Sequence, residues 1–224
     1  MIITTEGRVG VIRFDRPKKR NALTKAALVA LPIAIDQLVE SGSRAIILTG
    51  SGSIFTAGAD LTELSFTEAD LDVESGLAAA ADRLASVQVP TFAAIEGPCL
   101  GAGVELATAC DVRVAGQGST FMIPAARLGI LYRPAGVNRL LRTLGAETTR
   151  RLLLVNETLG PYGIAGVLVP DGSALATARE LADQAAGLVP GAVAATKQLM
   201  VEIETSISAG MDWDEVRRRL LKER

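Results

Sequence analysis

The chain contains no histidine. That single absence removes Ser-His-Asp and Cys-His catalysis, His-ligated metals and imidazole acid-base chemistry. Only two cysteines occur, Cys99 and Cys110. They are spaced too widely for a CxxC motif and are too few for a disulfide scaffold, so a reducing cytoplasm is the expected setting. No stretch approaches the roughly 18 uninterrupted apolar residues that a membrane helix needs. The mean hydropathy of +0.32 comes largely from Ala and Gly. Neither sign of charge dominates: 23 Lys and Arg face 25 Asp and Glu, a net charge of −2. A nucleic-acid footprint is therefore not expected. Met1-Ile2-Ile3-Thr4-Thr5-Glu6 lacks the basic and apolar regions of a secretory signal.

What is present suits one large domain or a domain with a small appendage. The chain has 224 residues, of which 49% are hydrophobic and 21% charged, enough to build a core. Val9 to Phe14 reads as a strand, ended by Arg16-Pro17. Apolar residues recur at helical spacing from Thr24, a plausible N-cap, to Val39, with Pro32 expected to kink or split that helix. Residues 44–49 and 89–95 are short apolar runs that predict buried strands, and 111–115 reads as another. Helices are expected between them, over 76–87 and 100–110, whereas 66–74 is acidic, polar and expected to be exposed. This alternation predicts an α/β class with mainly parallel strands. Beyond Pro124 the pattern turns helical, with helices expected over 135–143, 147–155, 174–188, 191–208 and 212–222.

Two segments bear on chemistry. Ala57-Gly58-Ala59-Asp60-Leu61 follows one buried strand, and Gly97-Pro98-Cys99-Leu100-Gly101-Ala102-Gly103-Val104-Glu105-Leu106 follows another. Both are strand-to-helix junctions of very small residues. Such junctions leave backbone N–H groups unpaired and let a ligand approach them. Two amides converging on one point make an oxyanion hole. The second segment is not a P-loop, because no Gly-Lys-Ser/Thr follows, and it is a poor dinucleotide fingerprint.

Together with Arg16-Pro17, Arg20-Asn21-Ala22-Leu23, residues 45–50, Cys110-Asp111-Val112-Arg113, Pro124, Gly129, Gly136, Arg139 and Leu140, these segments resemble the crotonase (enoyl-CoA hydratase/isomerase) superfamily. The agreement extends over roughly the first 155 residues. The resemblance implies a crotonase-like spiral of ββα units over residues 1–170, followed by a helical C-terminal region over 171–224 used for oligomerisation. It implies an acyl-CoA substrate whose thioester carbonyl is polarised by the Ala59 and Ala102 amides, with coenzyme A as part of the substrate rather than a resident cofactor. Arg20, Ala22, Leu23, Ala57, Asp60, Leu61 and Thr62 fall where the family holds coenzyme A; Asp60 also suits an N-cap. Family members commonly form trimers or dimers of trimers, and the chain is expected to be short by one or two helices. It ends after Trp213 and the Arg217-Arg218-Arg219 run.

Acid-base residues select the reaction. Family hydratases use two glutamates that share one water. The first position matches Glu105, in the first turn of the helix beginning near Gly101. The second, one residue after Pro124, is Ala125. Losing a positioned acid or base removes about 10²–10⁴ of rate, so one carboxylate suits double-bond isomerisation better than hydration. Tyr132 and Arg133 occupy a stretch that approaches the acyl group in the family. Tyr132 could donate a proton, and Arg133 could neutralise a substrate carboxylate. Decarboxylation of a malonyl-type thioester and a non-catalytic acyl-CoA binding protein are the alternatives. Arg127 is expected to be solvated, and Glu63 to complete a local cap.

Overall fold

A computed structural model describes residues 1–65 and 71–205. Trp213, the Arg217–Arg219 run, the helix expected over 212–222 and part of the acidic 66–74 stretch lie outside the described residues. In chain order the elements are β1 (Ile2–Glu6), β2 (Val9–Phe14), α1 (Lys25–Glu40), β3 (Ala45–Gly50), α2 (Leu71–Ser86), β4 (Thr91–Ile95) and β5 (Pro98–Leu100). They continue with α3 (Ala102–Ala109), β6 (Val112–Gly116), β7 (Thr120–Met122), α4 (Pro134–Leu154), β8 (Val167–Val169), α5 (Ala174–Ala186) and α6 (Pro190–Thr205).

One six-stranded sheet has the order β1-β2-β3-β4-β6-β8. Its strands pair in parallel except β1, which joins β2 as an antiparallel edge. Side chains alternate between its faces, as period-two strands require. One face carries Ile12, Ile46, Leu48, Ala93 and Ile95 into the larger core. The other carries Val11, Ile47, Phe92, Ala94 and Val114, covered by Ala174, Ala178, Ala182 and Ala186 of α5. That four-residue alanine spacing is one helical stripe, and its small side chains let the helix lie close to the sheet. A second, two-stranded parallel sheet, β5-β7, stands off the end of β4 and carries the chain into α3. All eight residues of α3 are buried, as suits a helix apolar on nearly every side.

Four local expectations change or sharpen. Pro32 neither splits nor ends α1, which runs unbroken from Lys25 to Glu40 with Thr24 as its N-cap. Proline in a helix interior costs about 3 kcal/mol. Leu28, Leu31, Ala34, Ile35 and Leu38 are buried on both sides of it, and each large apolar side chain contributes about 1.5–3 kcal/mol, so packing outweighs the lost bond. Residues 71–74, expected to be an exposed stretch, form the first turn of α2, with Val73 facing the core. Gly145, at φ +77°, breaks the helical geometry inside α4, which separates the two helices expected there. Glu63 caps a distant helix rather than a local one: its Oε2 accepts the Lys25 N–H at the start of α1 at 2.7 Å.

Candidate active site

Two parallel chain segments set the site. Thr56 and Cys99 form an isolated parallel bridge, in which Thr56 N donates to Pro98 O at 3.2 Å and Leu100 N to Thr56 O at 3.0 Å. Each segment then turns. Ala59 and Ala102 both lie three residues past the bridged pair, so the two turns leave it in register. The first turn is held from its other side. Leu23 N donates to Gly58 O and Asp60 N to Leu23 O, both at 2.8 Å. In a parallel bridge these flanking bonds point the intervening N–H, that of Ala59, away from Leu23. Ala102 is the first residue of α3, where an amide has no intrahelical acceptor. Neither N–H donates to any group among the described residues.

Gly58 keeps these turns close. Its φ is +88°, and a Cβ there would lie 2.7 Å from Leu100 O and 3.5 Å from Ala102 N. No other residue type fits between them without moving backbone. Thr56 Oγ1 accepts the Gly58 N–H at 3.1 Å and donates to Asn21 O at 2.7 Å, fastening the turn from below.

A cavity of about 150 Å³ opens over the turns. Ala57, Ala59, Ala102, Glu105, Ala125, Tyr132 and Arg133 all line it, and much of the remaining wall is aliphatic, from Leu28, Leu61, Leu77, Ile123 and Ile130. The structure thus brings together the residues expected at the acyl end. Of those expected along coenzyme A, Ala57 and Leu61 line the cavity, while Arg20, Ala22, Leu23, Asp60 and Thr62 do not. Leu23 is buried beneath the first turn, and Arg20 and Thr62 are exposed. Asp60 is an N-cap: its carboxylate accepts from Thr62 N at 3.2 Å, from Thr62 Oγ1 at 2.7 Å and from Arg16 at 2.9 Å. The Thr62 hydroxyl, followed by the Arg16 guanidinium, holds that carboxyl below its ordinary pKa. Arg127 is exposed, in line with its expected solvation.

Glu105 lies one helical turn beyond Ala102, so its carboxylate stands beside the Ala102 amide along the same face of α3. Its side chain is 3% exposed. Burial raises its pKa, and the Arg133 and Arg139 guanidinium groups act against that rise without cancelling it. Arg133 Nη2 donates to Glu105 Oε1 at 2.9 Å, and Arg139 Nη1 stands 3.6 Å from the same oxygen. Arg139 is in turn anchored by Asp82 of α2 at 2.6 Å. Gly136 gives the carboxylate room, since a Cβ there would stand 3.1 Å from Glu105 Oε1. Tyr132 donates its hydroxyl to Gly101 O at 3.3 Å, bracing the second turn. Its pKa is pushed well up, first by burial and then by the Glu105 charge.

Two residues matter here for which the sequence carried a motif match but no role. Asn21 is 1% exposed and saturated: its amide donates to Ser51 O and Ile54 O, and its Oδ1 accepts from Arg16 N and Ser51 Oγ. It ties the loop beneath the first turn to the loop before it, at φ +54°. Arg139 supplies the second cation beside Glu105. The only sequence signal for either was its presence in the Arg20–Leu23 and Gly136–Leu140 matches.

Comparison with known proteins gives a consistent result. The family description "Enoyl-CoA hydratase/isomerase" matches residues 4–222. The 2,3-dehydroadipyl-CoA hydratase of Escherichia coli K12 is 31% identical over 218 residues, covering 94% of this chain and 86% of that protein. An enoyl-CoA hydratase/isomerase family protein from Hyphomonas neptunium superposes with a TM-score of 0.86 at 29% identity, over 99% of this chain and 88% of the other. A methylmalonyl-CoA decarboxylase in complex with 2-nitronate-propionyl-CoA shares the fold, with a TM-score of 0.90 over 99% of this chain and 90% of the other at 22% identity. The expected α/β spiral with C-terminal helices is therefore the observed fold.

Proposed function

Because the chain belongs to the enoyl-CoA hydratase/isomerase family, we propose that it acts on acyl-CoA thioesters by stabilising an enolate between the Ala59 and Ala102 amides, with Glu105 as its acid-base carboxylate. One observation carries this reading: two unpaired main-chain N–H groups leave the Thr56–Cys99 bridge in register and line one cavity with a buried carboxylate. Each oxyanion donor of this kind contributes about 10²–10³ in rate. Glu105 takes the α-proton as the thioester oxygen gains charge, then returns a proton to carbon. The raised pKa of Glu105 brings it nearer to the operating pH, where proton transfer is most efficient.

Ala125 lines the cavity; the family resemblance gives it the position of a hydratase's second carboxylate, which favours double-bond isomerisation over addition of water. Coenzyme A is placed along the edge formed by residues 20–23 and 57–62. These two segments are laddered together by Ala57 N donating to Arg20 O at 2.9 Å and by the Leu23 bonds. Decarboxylation of a malonyl-type thioester is the second reading, favoured by the Arg133 guanidinium in the cavity wall. Assembly as a homotrimer or dimer of trimers and a cytoplasmic location belong to the same proposal. Leu199, Met200 and Ile203, exposed on α6, support the first; two free, buried cysteines support the second.

The test incubates the purified protein and Glu105→Gln with crotonyl-CoA, a 3-enoyl-CoA and methylmalonyl-CoA. Expected is 3-enoyl turnover that Glu105→Gln reduces by about 10²–10⁴. Turnover insensitive to Glu105 contradicts the assignment. Tight thioester binding with no turnover of any of the three supports a binding protein instead.

A further inference from the structure

We infer that Arg133 is a receptor for a second carboxylate on the acyl group, and that such a substrate binds by taking Arg133 from Glu105. This rests on the acyl-CoA reading above and narrows the substrate class to thioesters of dicarboxylic acids.

The argument begins with what Arg133 has and lacks. It caps the start of α4 through its backbone, and its side chain turns inward, only 16% exposed. Among the described residues its guanidinium meets a single acidic partner, Glu105. Guanidinium carries five donors in a planar fork suited to bidentate carboxylate binding. One is engaged here, and the group borders a cavity whose wall is largely aliphatic apart from Glu105 and Glu74. The remaining donors suit a second, bidentate acceptor entering the cavity. A plain aliphatic acyl chain offers none.

Arg139 differs in its anchoring, and its own Nη1, buried without a hydrogen-bond partner, stands toward Glu105 rather than in the acyl cavity. Asp82 anchors it from α2 at 2.6 Å, and it lines a separate cavity between α2, α3, α4 and α6 rather than the acyl cavity. Its own approach to Glu105, at 3.6 Å, does not pass through Arg133. Glu105 is therefore not stranded when Arg133 moves to the substrate. The exchange replaces one charge-assisted carboxylate bond by another and keeps a cation beside Glu105. It also removes the stronger of the two guanidinium influences that lower the Glu105 pKa, leaving burial to raise it further.

Three matched pairs of coenzyme A thioesters test this: propionyl against malonyl, butyryl against succinyl, and valeryl against glutaryl. Within each pair a terminal methyl is exchanged for a carboxylate at constant carbon count. Calorimetric titration of the wild-type protein is expected to show at least one carboxylate member binding about tenfold tighter than its methyl partner. Arg133→Met should abolish the preference, read as the affinity ratio within each pair. Glu105→Gln, which removes the internal competitor, should increase the preference; it keeps the inference testable should Arg133→Met not fold. No preference in any pair, or one that survives Arg133→Met, overturns the inference. Failure of all six thioesters to bind overturns the acyl-CoA reading itself, whereas tight butyryl-CoA binding without discrimination overturns only the role of Arg133.

Discussion

Gly58 offers a way to separate backbone strain from active-site geometry, because Gly52 provides a matched control. Both have positive φ, +88° and +70°. Placing an L-residue in that region costs about 1–2 kcal/mol, which for a chain of this size lowers Tm by about 2–8 °C. Alanine at Gly52 meets nothing within 4 Å, so strain is its whole effect. Alanine at Gly58 adds a collision: its Cβ would lie 2.7 Å from the Leu100 carbonyl, where ordinary contact begins at 3.4 Å. The two turns must part by about 0.7 Å, the difference between those distances. Displacements approaching 1 Å at a reacting centre cost about 10²-fold. The assay is exchange of the α-protons of butyryl-CoA in deuterated water, followed by mass spectrometry, which reads enolate formation whatever the net reaction is. Gly58→Ala is predicted to slow exchange about 10²-fold and Gly52→Ala to leave it within threefold, although both lower Tm. Equal exchange rates in the two variants would refute the claim that the spacing of these turns controls catalysis.

Two further predictions follow from the same framework. Ala125→Glu restores a second carboxylate to the cavity wall and should raise hydration of crotonyl-CoA at least about tenfold, a fraction of what a positioned acid or base contributes; no gain would mean that the cavity differs from a hydratase's by more than one side chain. Asn21→Ala forfeits four hydrogen bonds around a buried loop and places alanine at φ +54°, so urea denaturation should show a loss of about 3 kcal/mol or more, and a loss below 1 kcal/mol would deny Asn21 its role as a node.

The parts of the molecule that were legible in the sequence are those written in local pattern. The buried runs at 45–50 and 91–95, the alanine stripe of α5 and the small-residue turns at 57–61 and 97–103 each carry their own signal of period, breaker or missing side chain. Glu105 and Ala125 could be placed because a motif fixes the register around them. The pairing of Arg133 with Glu105 spans 28 positions and that of Arg139 with Asp82 spans 57. No periodicity encodes such contacts; they arise only when α4 is laid across α2 and α3. Lys197 is a similar case. Its buried ammonium reaches Asp111 at 2.7 Å and Val89 O at 3.0 Å, docking α6 on the core across 86 and 108 positions. The edge strand β1 and the three-residue strands β5, β7 and β8 escaped notice because segments so short, or so exposed, carry little hydrophobic pattern.

The account depends most on where a thioester oxygen sits. A crystal structure of the protein with butyryl-CoA measures this directly. The prediction is an oxygen about 2.7–3.1 Å from both the Ala59 and Ala102 nitrogens, with the α-carbon facing Glu105. A carbonyl bound elsewhere, or one held by a side chain while either amide is turned to a protein acceptor, would contradict it.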